Sequence, residues 1–316
     1  MQTRRLGNTH MQIAPIVFGG NVLGWTADEA TSFRVLDAFV DHGFNAIDTA
    51  DVYSRWAPGH QGGESETVLG RWLKARPGMR ERVTIFTKVG SDMGQGKRDL
   101  SSGWILRAVE DSLTRLGIEE IDLYFSHWPD PTAEHADTLG AYDRLLKAGK
   151  IRAIGASNYD AALLQSALDV AEAEGLPAYQ VIQPGYNLHD RAAFEGPLRD
   201  LCLERNIGVV CYYGLAAGFL SGKYRNEADL GGRARGESVR RYMTPKGLAI
   251  LSALDRVAEE QGASQAEVAL AWLIQREGVT APIASATSVE QVESFARAAS
   301  LTLSAEALSL LETAGT

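Results

Sequence analysis

Cysteine is nearly missing from this chain: 316 residues hold two, Cys202 and Cys211. Two are too few for a disulfide framework, and their spacing is not that of a metal-binding pair. Both stand in apolar contexts and read as small buried hydrophobes. Long apolar runs are missing as well. Crossing a bilayer takes about 20 residues, and the most apolar stretch, Ile207 to Leu220, is shorter and broken by glycine. No apolar run follows the charged segment Met1 to Gly7, so no signal peptide and no membrane contact are expected, and the cytoplasm is the default location. Positive charge is in deficit, with Lys+Arg 31 against Asp+Glu 40 and a net charge of -9. Nucleic acid is therefore not an expected partner, while a local basic pocket for a small anion remains compatible. The segment Phe18-Gly19-Gly20-Asn21-Val22-Leu23-Gly24 does not match the G-x-G-x-x-G fingerprint, and neither a P-loop nor H-E-x-x-H occurs. At 45% hydrophobic and 22% charged residues, what remains is an ordinary globular protein, long enough to be stable without staples.

What is present is alternation. Short β-branched runs are each followed by a longer stretch of helical periodicity. The predicted strands are Pro15 to Phe18, Phe44 to Ile47, Val83 to Lys88, Ile121 to Ser126, Ile151 to Ala156, Tyr179 to Ile182, Ile207 to Tyr212 and Pro282 to Ala284. The predicted helices are Asp28 to His42, Glu64 to Ala75, Ser101 to Leu116, Glu134 to Ala148, Ala161 to Ala173, Ala193 to Arg205, a pair at Gly247 to Gln261 and Gln265 to Gln275, and Val289 to Ala298. Gly43, Gly117, Gly149 and Gly175 follow helical segments, where a left-handed residue is wanted. Eight strands, each with a helix behind it, predict a single α/β domain over 1–316: a (β/α)8 TIM barrel with an N-terminal β-hairpin around Gly7-Asn8-Thr9 and an extra C-terminal helix near Ser304 to Thr313. The Gly- and Arg-rich stretch Gly222 to Thr244 falls outside the repeat.

In such a barrel, chemistry sits where strands end. The predicted strand ends carry Asp48, with Tyr53 in the loop behind it, then Lys88, Ser126-His127, Ser157-Asn158, Gln183 and Tyr212. These include an acid, a phenol, an amine and an imidazole that can converge. A free phenol, with a pKa near 10, is a poor acid at neutrality. The Lys88 ammonium is expected to lower the pKa of Tyr53, Asp48 to hold Lys88, and His127 to offer a hydrogen-bond donor beside them.

The segments Phe44 to Tyr53, Thr87-Lys88-Val89, Leu123 to Asp130, Gly155 to Tyr159, Gln183 to Asn187 and Gly218 to Tyr224 resemble, in order, those of the aldo-keto reductase superfamily. The resemblance spans nearly the whole chain. It implies a barrel that binds NADP(H) in extended form and reduces aldehydes or ketones, with a catalytic tetrad of Asp48, Tyr53, Lys88 and His127. It also implies Ser157, Asn158 and Gln183 at the nicotinamide carboxamide and Tyr212 stacked on that ring. Gly20 and Asn21 would line the same pocket, and Leu215, Gly218 and Lys223 would lie along the pyrophosphate. Arg233 and Arg235 are candidate phosphate clamps, and Ser285, Thr287 and Gln291 follow the last strand. Thr287 stands where relatives often carry a basic residue, and Ser285 replaces a usual glycine, so NAD(H) stays open beside NADP(H). Tyr213-Gly214 stands where relatives often carry Ser-Pro. Trp25, Trp56 and Trp128, with Tyr53 and His127, are expected at the substrate mouth, and Gly59 to Gly63 as a flexible lip. A small carbonyl or alcohol substrate is implied, with aldehydes, ketosteroid-like rings, sugars and quinones all open. Alcohol oxidation and a regulatory or redox-sensing role are the alternatives. No oligomeric state is read from the chain.

Overall fold

The structure, a computed structural model, describes residues 1–232 and 235–315. Two short strands, β1 (Arg4–Arg5) and β2 (Gln12–Ile13), pair antiparallel as the predicted hairpin. Eight parallel strands then close a barrel: β3 (Val17–Gly19), β4 (Ala46–Asp48), β5 (Thr84–Val89), β6 (Leu123–Ser126), β7 (Ile154–Ser157), β8 (Val181–Gln183), β9 (Gly208–Cys211) and β10 (Ala281–Ala284). Each strand hydrogen-bonds its sequence neighbour, and β10 closes on β3 and β9. The outer ring is α1 (Glu29–Asp41), α2 (Glu64–Ala75), α3 (Ser102–Leu116), α4 (His135–Lys147), α5 (Ala161–Glu174) and α6 (Pro197–Arg205). It continues through α7 (Gly236–Arg240), α8 (Pro245–Gln261), α9 (Gln265–Ile274), α10 (Val289–Ser300) and the terminal α11 (Ala305–Ala314). No described helix is long and apolar enough to cross a membrane.

Alternation along each strand sorts the side chains. Phe86, Leu123, Phe125, Ala153, Val181 and Val210 fill the barrel interior. Their neighbours Ile85, Tyr124, Ile154, Ile182 and Val209 belong instead to the larger core. Continuing that period of two places Asp48, Lys88, His127, Ser157, Gln183 and Tyr212 inward, one layer above the apolar filling. The top of the barrel is therefore polar because the strand sequences change character at their last inward position.

The structure shifts some predicted boundaries. α6 begins at Pro197, not Ala193, because Gly196, at φ 90°, breaks the chain and Pro197 takes the first helical position. α8 begins at Pro245, two residues before the predicted Gly247, behind Thr244 as a side-chain cap. Tyr212 lies beyond β9 and meets Gly185 through an isolated bridge. The stretch after β9 is ordered by its own core, with Phe219, Leu220, Tyr224, Leu230, Val239 and Tyr242 all buried. Arg233, one of the candidate phosphate clamps, lies outside the described residues.

Candidate active site

Asp48 closes β4 and Lys88 is the fifth residue of β5, and both side chains are buried. Lys88 Nζ donates to Asp48 Oδ2 at 2.6 Å, to the Thr49 carbonyl at 2.8 Å and to the Tyr53 hydroxyl at 2.8 Å. Its three protons are thereby used. The Tyr53 hydroxyl in turn donates to Asp48 Oδ2 at 3.2 Å, and Gln183 Nε2 donates to Asp48 Oδ1 at 2.9 Å. Removing one partner of a buried pair such as Asp48–Lys88 leaves an uncompensated charge and costs about 3–5 kcal/mol. Thr49 is itself fixed, its hydroxyl 2.7 Å from that of Ser65, which donates to the Gly20 carbonyl.

The electrostatics correct one expectation. Burial, first, and then the Asp48 carboxylate push the Tyr53 pKa well above the usual phenol range, so the ammonium does not lower it on balance. Burial pulls the Lys88 pKa down against the opposing pull of Asp48. His127 is held well below the ordinary imidazole range by burial and by the Lys88 and Arg98 charges, and is therefore neutral. Its ring lies 5.9 Å from that of Tyr53. Its Nδ1 is 3.0 Å from the Ser91 hydroxyl. When that hydroxyl donates to Nδ1, the imidazole hydrogen sits on Nε2.

Ser91 was not legible in the sequence: a lone serine in a glycine-rich loop carries no pattern. Asp51 was missed as well. Among the described residues neither of its carboxylate oxygens has a hydrogen-bond partner, and burial, then the Glu66 charge, push its pKa well above the usual range. Glu66 is held by the Thr87 hydroxyl at 2.5 Å and by Arg115 Nε at 2.6 Å.

The other sequence-derived candidates fall into five groups. Ser157, Asn158, Gln183 and Tyr212 form one network: Ser157 Oγ donates to the Gln183 carbonyl at 2.8 Å, Asn158 Nδ2 donates to the His127 carbonyl at 2.9 Å, and the Tyr212 hydroxyl donates to Asn158 Oδ1 at 2.6 Å. Gly20 and Asn21 follow β3, and Ser285, after β10, donates to Asn21 Oδ1 at 2.6 Å. Thr287 N–H donates to Gln291 Oε1 at 2.8 Å at the start of α10. In the loop after β9, Gly218 N–H donates to the Leu215 carbonyl at 2.8 Å, and a Cβ on Gly218 would lie 3.2 Å from Lys223 Nζ. Ala216, Ala217 and Gly218 are consecutive left-handed residues. That conformation costs roughly 1–2 kcal/mol per non-glycine residue, a strain typical of loops built around a ligand. Arg235 lies over the Trp25 ring, 5.9 Å from its centroid, and burial lowers its pKa.

At the mouth, the aromatic side chains form a continuous arc. Ring centroids are 5.5 Å apart for Trp25–Trp56, 6.0 Å for Tyr53–Trp56, 5.9 Å for Tyr53–His127 and 5.9 Å for His127–Trp128. The glycine lip is ordered in part by Glu64, whose carboxylate accepts from the N–H groups of Gln61 and Gly62. Among the described residues no group of three or more His, Cys, Asp or Glu is placed to hold a metal ion. A groove of about 1430 Å³ opens at the opposite end of the barrel, where Arg80 is tied to Asp122, Arg115 to Glu66 and Arg152 to Glu120.

Comparison with known proteins agrees with this geometry. The chain is 64% identical over 93 residues to an 11.2 kDa protein from the crtE 3' region of Pseudescherichia vulneris, a match covering 29% of this chain and 90% of that one. It is 32% identical to the aldo-keto reductase YhdN of Bacillus subtilis, covering 91% of this chain and 84% of the relative. It is 29% identical to the L-glyceraldehyde 3-phosphate reductase of Escherichia coli O157:H7, covering 99% and 92%. The model of the aldo/keto reductase family matches residues 15–315, and the chain belongs to that family of oxidoreductases.

Proposed function

We propose that this chain works as one catalytic domain that reduces aldehyde or ketone carbonyls to alcohols with NADP(H), using Tyr53 as the proton donor. The observation that carries this reading is the Tyr53 hydroxyl, 2.8 Å from Lys88 Nζ, beside a neutral His127 at the mouth of the barrel. Bound nicotinamide supplies the hydride. Tyr53, kept protonated by burial and by Asp48, gives its proton to the carbonyl oxygen. The Lys88 ammonium stabilises the phenolate left behind, and Asp48 and the Thr49 carbonyl hold that ammonium in place. His127 donates from Nε2 to the same oxygen, orienting and polarising the carbonyl.

The cofactor fits the residues present. Asn158, Ser157 and Gln183 offer amide and hydroxyl groups to the carboxamide, and Tyr212 offers a ring face. Gly20 and Asn21 line the same pocket, and Ser285 steadies Asn21. The strained turn at Leu215 to Gly218, with Lys223 and Arg235, is suited to the pyrophosphate. A second cofactor reading, NAD(H), is favoured by the start of α10. There Thr287 and Gln291 bond to each other, and Ser288 and the backbone hold the Glu290 carboxylate. These residues bring no positive charge to a 2′-phosphate. The raised Tyr53 pKa weighs against alcohol oxidation at neutral pH, where a phenolate base is required. The complete tetrad weighs against a purely regulatory role. Both cysteines are free thiols, which suits a reducing compartment such as the cytoplasm.

The test is Tyr53→Phe assayed with 4-nitrobenzaldehyde and NADPH or NADH. Turnover is expected to fall by about 10²–10⁴-fold, the usual worth of general acid catalysis, while cofactor binding by fluorescence titration is retained. Turnover within threefold of wild type refutes the role.

A further inference from the structure

The loop between β5 and α3 carries three charged residues in a row, Lys97, Arg98 and Asp99. Lys97 and Asp99 pair with each other at 3.3 Å. Arg98 is exposed, and among the described residues no carboxylate lies within ion-pair distance of it. Its guanidinium rests instead on the Trp128 ring, 4.6 Å from the centroid. Trp128 stacks on His127 at 5.9 Å with the planes 20° apart. Two stacking steps therefore separate the guanidinium from the imidazole, a span that a small molecule bridges. The Arg98 charge reaches His127 as one of the two cations that hold it neutral.

Stacking on a ring steadies a guanidinium without neutralising it, because the ring takes the face and leaves the N–H edges free. The aromatic arc thus ends, on the His127 side, in a steadied cation without an acidic partner. The chain as a whole carries -9, so nothing in its net charge draws anions towards it, and a preference for an anionic ligand has to be local. We propose that Arg98 is a specificity-determining residue that favours carbonyl substrates bearing an anionic group, a carboxylate or a phosphate, at the end remote from the reacting carbon. The proposal rests on the carbonyl-reduction reading above. The guanidinium edge fits either anion through paired hydrogen bonds, while the ring arc covers the apolar part between them.

The test compares wild type with Arg98→Ala and Arg98→Lys on two matched pairs. One is 4-carboxybenzaldehyde against methyl 4-formylbenzoate, and the other is glyceraldehyde 3-phosphate against glyceraldehyde. Wild type is expected to show higher kcat/KM on the anionic member of at least one pair, and which pair responds tells carboxylate from phosphate. Arg98→Ala lowers that anion-to-neutral ratio by about tenfold, mainly through KM, the worth of one charge-assisted contact at a partly exposed site. Arg98→Lys, which keeps the charge, restores part of it. A ratio altered by less than threefold in both pairs overturns the assignment. Should wild type turn over none of the four aldehydes, the reduction reading fails. Binding of terephthalate, followed by tryptophan fluorescence, then decides the Arg98 assignment alone. Binding weakened threefold or more by Arg98→Ala supports it, and a smaller change overturns it.

Discussion

Tyr53 sits between a cation and an anion, and the balance between them sets its protonation state. Lys88 at 2.8 Å favours the phenolate, while burial and Asp48, which accepts the phenol proton at 3.2 Å, favour the neutral form and prevail. His127 is shifted in the other sense, its charged form disfavoured by burial, Lys88 and Arg98. Carbonyl reduction needs the phenol protonated, and that form is lost only above the raised Tyr53 pKa. It also needs a neutral imidazole, which is lost only below the lowered His127 pKa. The expected kcat/KM for reduction is therefore flat from about pH 6 to 9, although a free imidazole would titrate near 6.5 within that range. Alcohol oxidation needs the phenolate and is expected to rise with pH over the same interval. Rates in both directions across pH check this, and a descending reductive limb near pH 7 or 8 contradicts it. The residues of this centre were legible because each occupies the last inward position of a strand or the loop just after it. Ser91 and the raised pKa of Asp51 were not legible. The first depends on a loop conformation, and the second on which side chains crowd a buried carboxyl. The direction of the Tyr53 shift is not legible either, because the sequence places an ammonium and a carboxylate near the phenol but not the depth of their burial.

The strands and helices were legible through their periods, and the mismatches fall where a local signal competes with the period. Residues 193–196 continue a helical pattern of polarity, yet Gly196 and Pro197 start the helix later. The stretch from Gly222 to Thr244 reads as polar because its buried residues, Tyr224, Leu230, Val239 and Tyr242, are widely spaced. A different device joins α2 to α3. Gly70, in mid-helix, faces the end of α3, where a Cβ would stand 2.2 Å from the Arg115 carbonyl oxygen and 2.9 Å from the Leu116 carbonyl carbon. Both obstacles are backbone, so no side-chain rotation relieves the clash. Gly70→Ala would ordinarily favour a helix by about 1 kcal/mol. Here it is expected to destabilise by about 1–3 kcal/mol through overpacking. It is also expected to lower activity, because Arg115 anchors Glu66 behind the Lys88 layer. Urea unfolding of the variant reads the first effect. A stabilised Gly70→Ala protein means that α2 and α3 do not approach this closely.

The molecule divides its tasks between the two ends of the barrel. The strand ends carry the polar layer, and the hairpin seals the other end. Leu6 and Ile13 are fully buried and join the interior filling beside Val17, Ala46, Phe86 and Val210. The seal is tied down by Arg4 Nη1 donating to the Ile274 carbonyl at 2.8 Å, and by Asn45, which accepts from Ala14 N–H at 2.9 Å and donates to the Gln12 carbonyl at 2.8 Å. Leu6 has no part in the chemistry, since it lies below the apolar layers that support Asp48 and Lys88. Leu6→Ala removes methyl groups from the bottom of that filling and leaves a cavity that neighbouring strands cannot close without breaking barrel hydrogen bonds. The expected loss is about 2–5 kcal/mol, read as a lower urea midpoint with an unchanged slope. Well below that midpoint, kcat and KM for an aldehyde are expected within twofold of wild type, because the strand ends keep their register. Loss of turnover in the folded Leu6→Ala protein would mean that strain travels the length of the barrel and that its two ends are not independent.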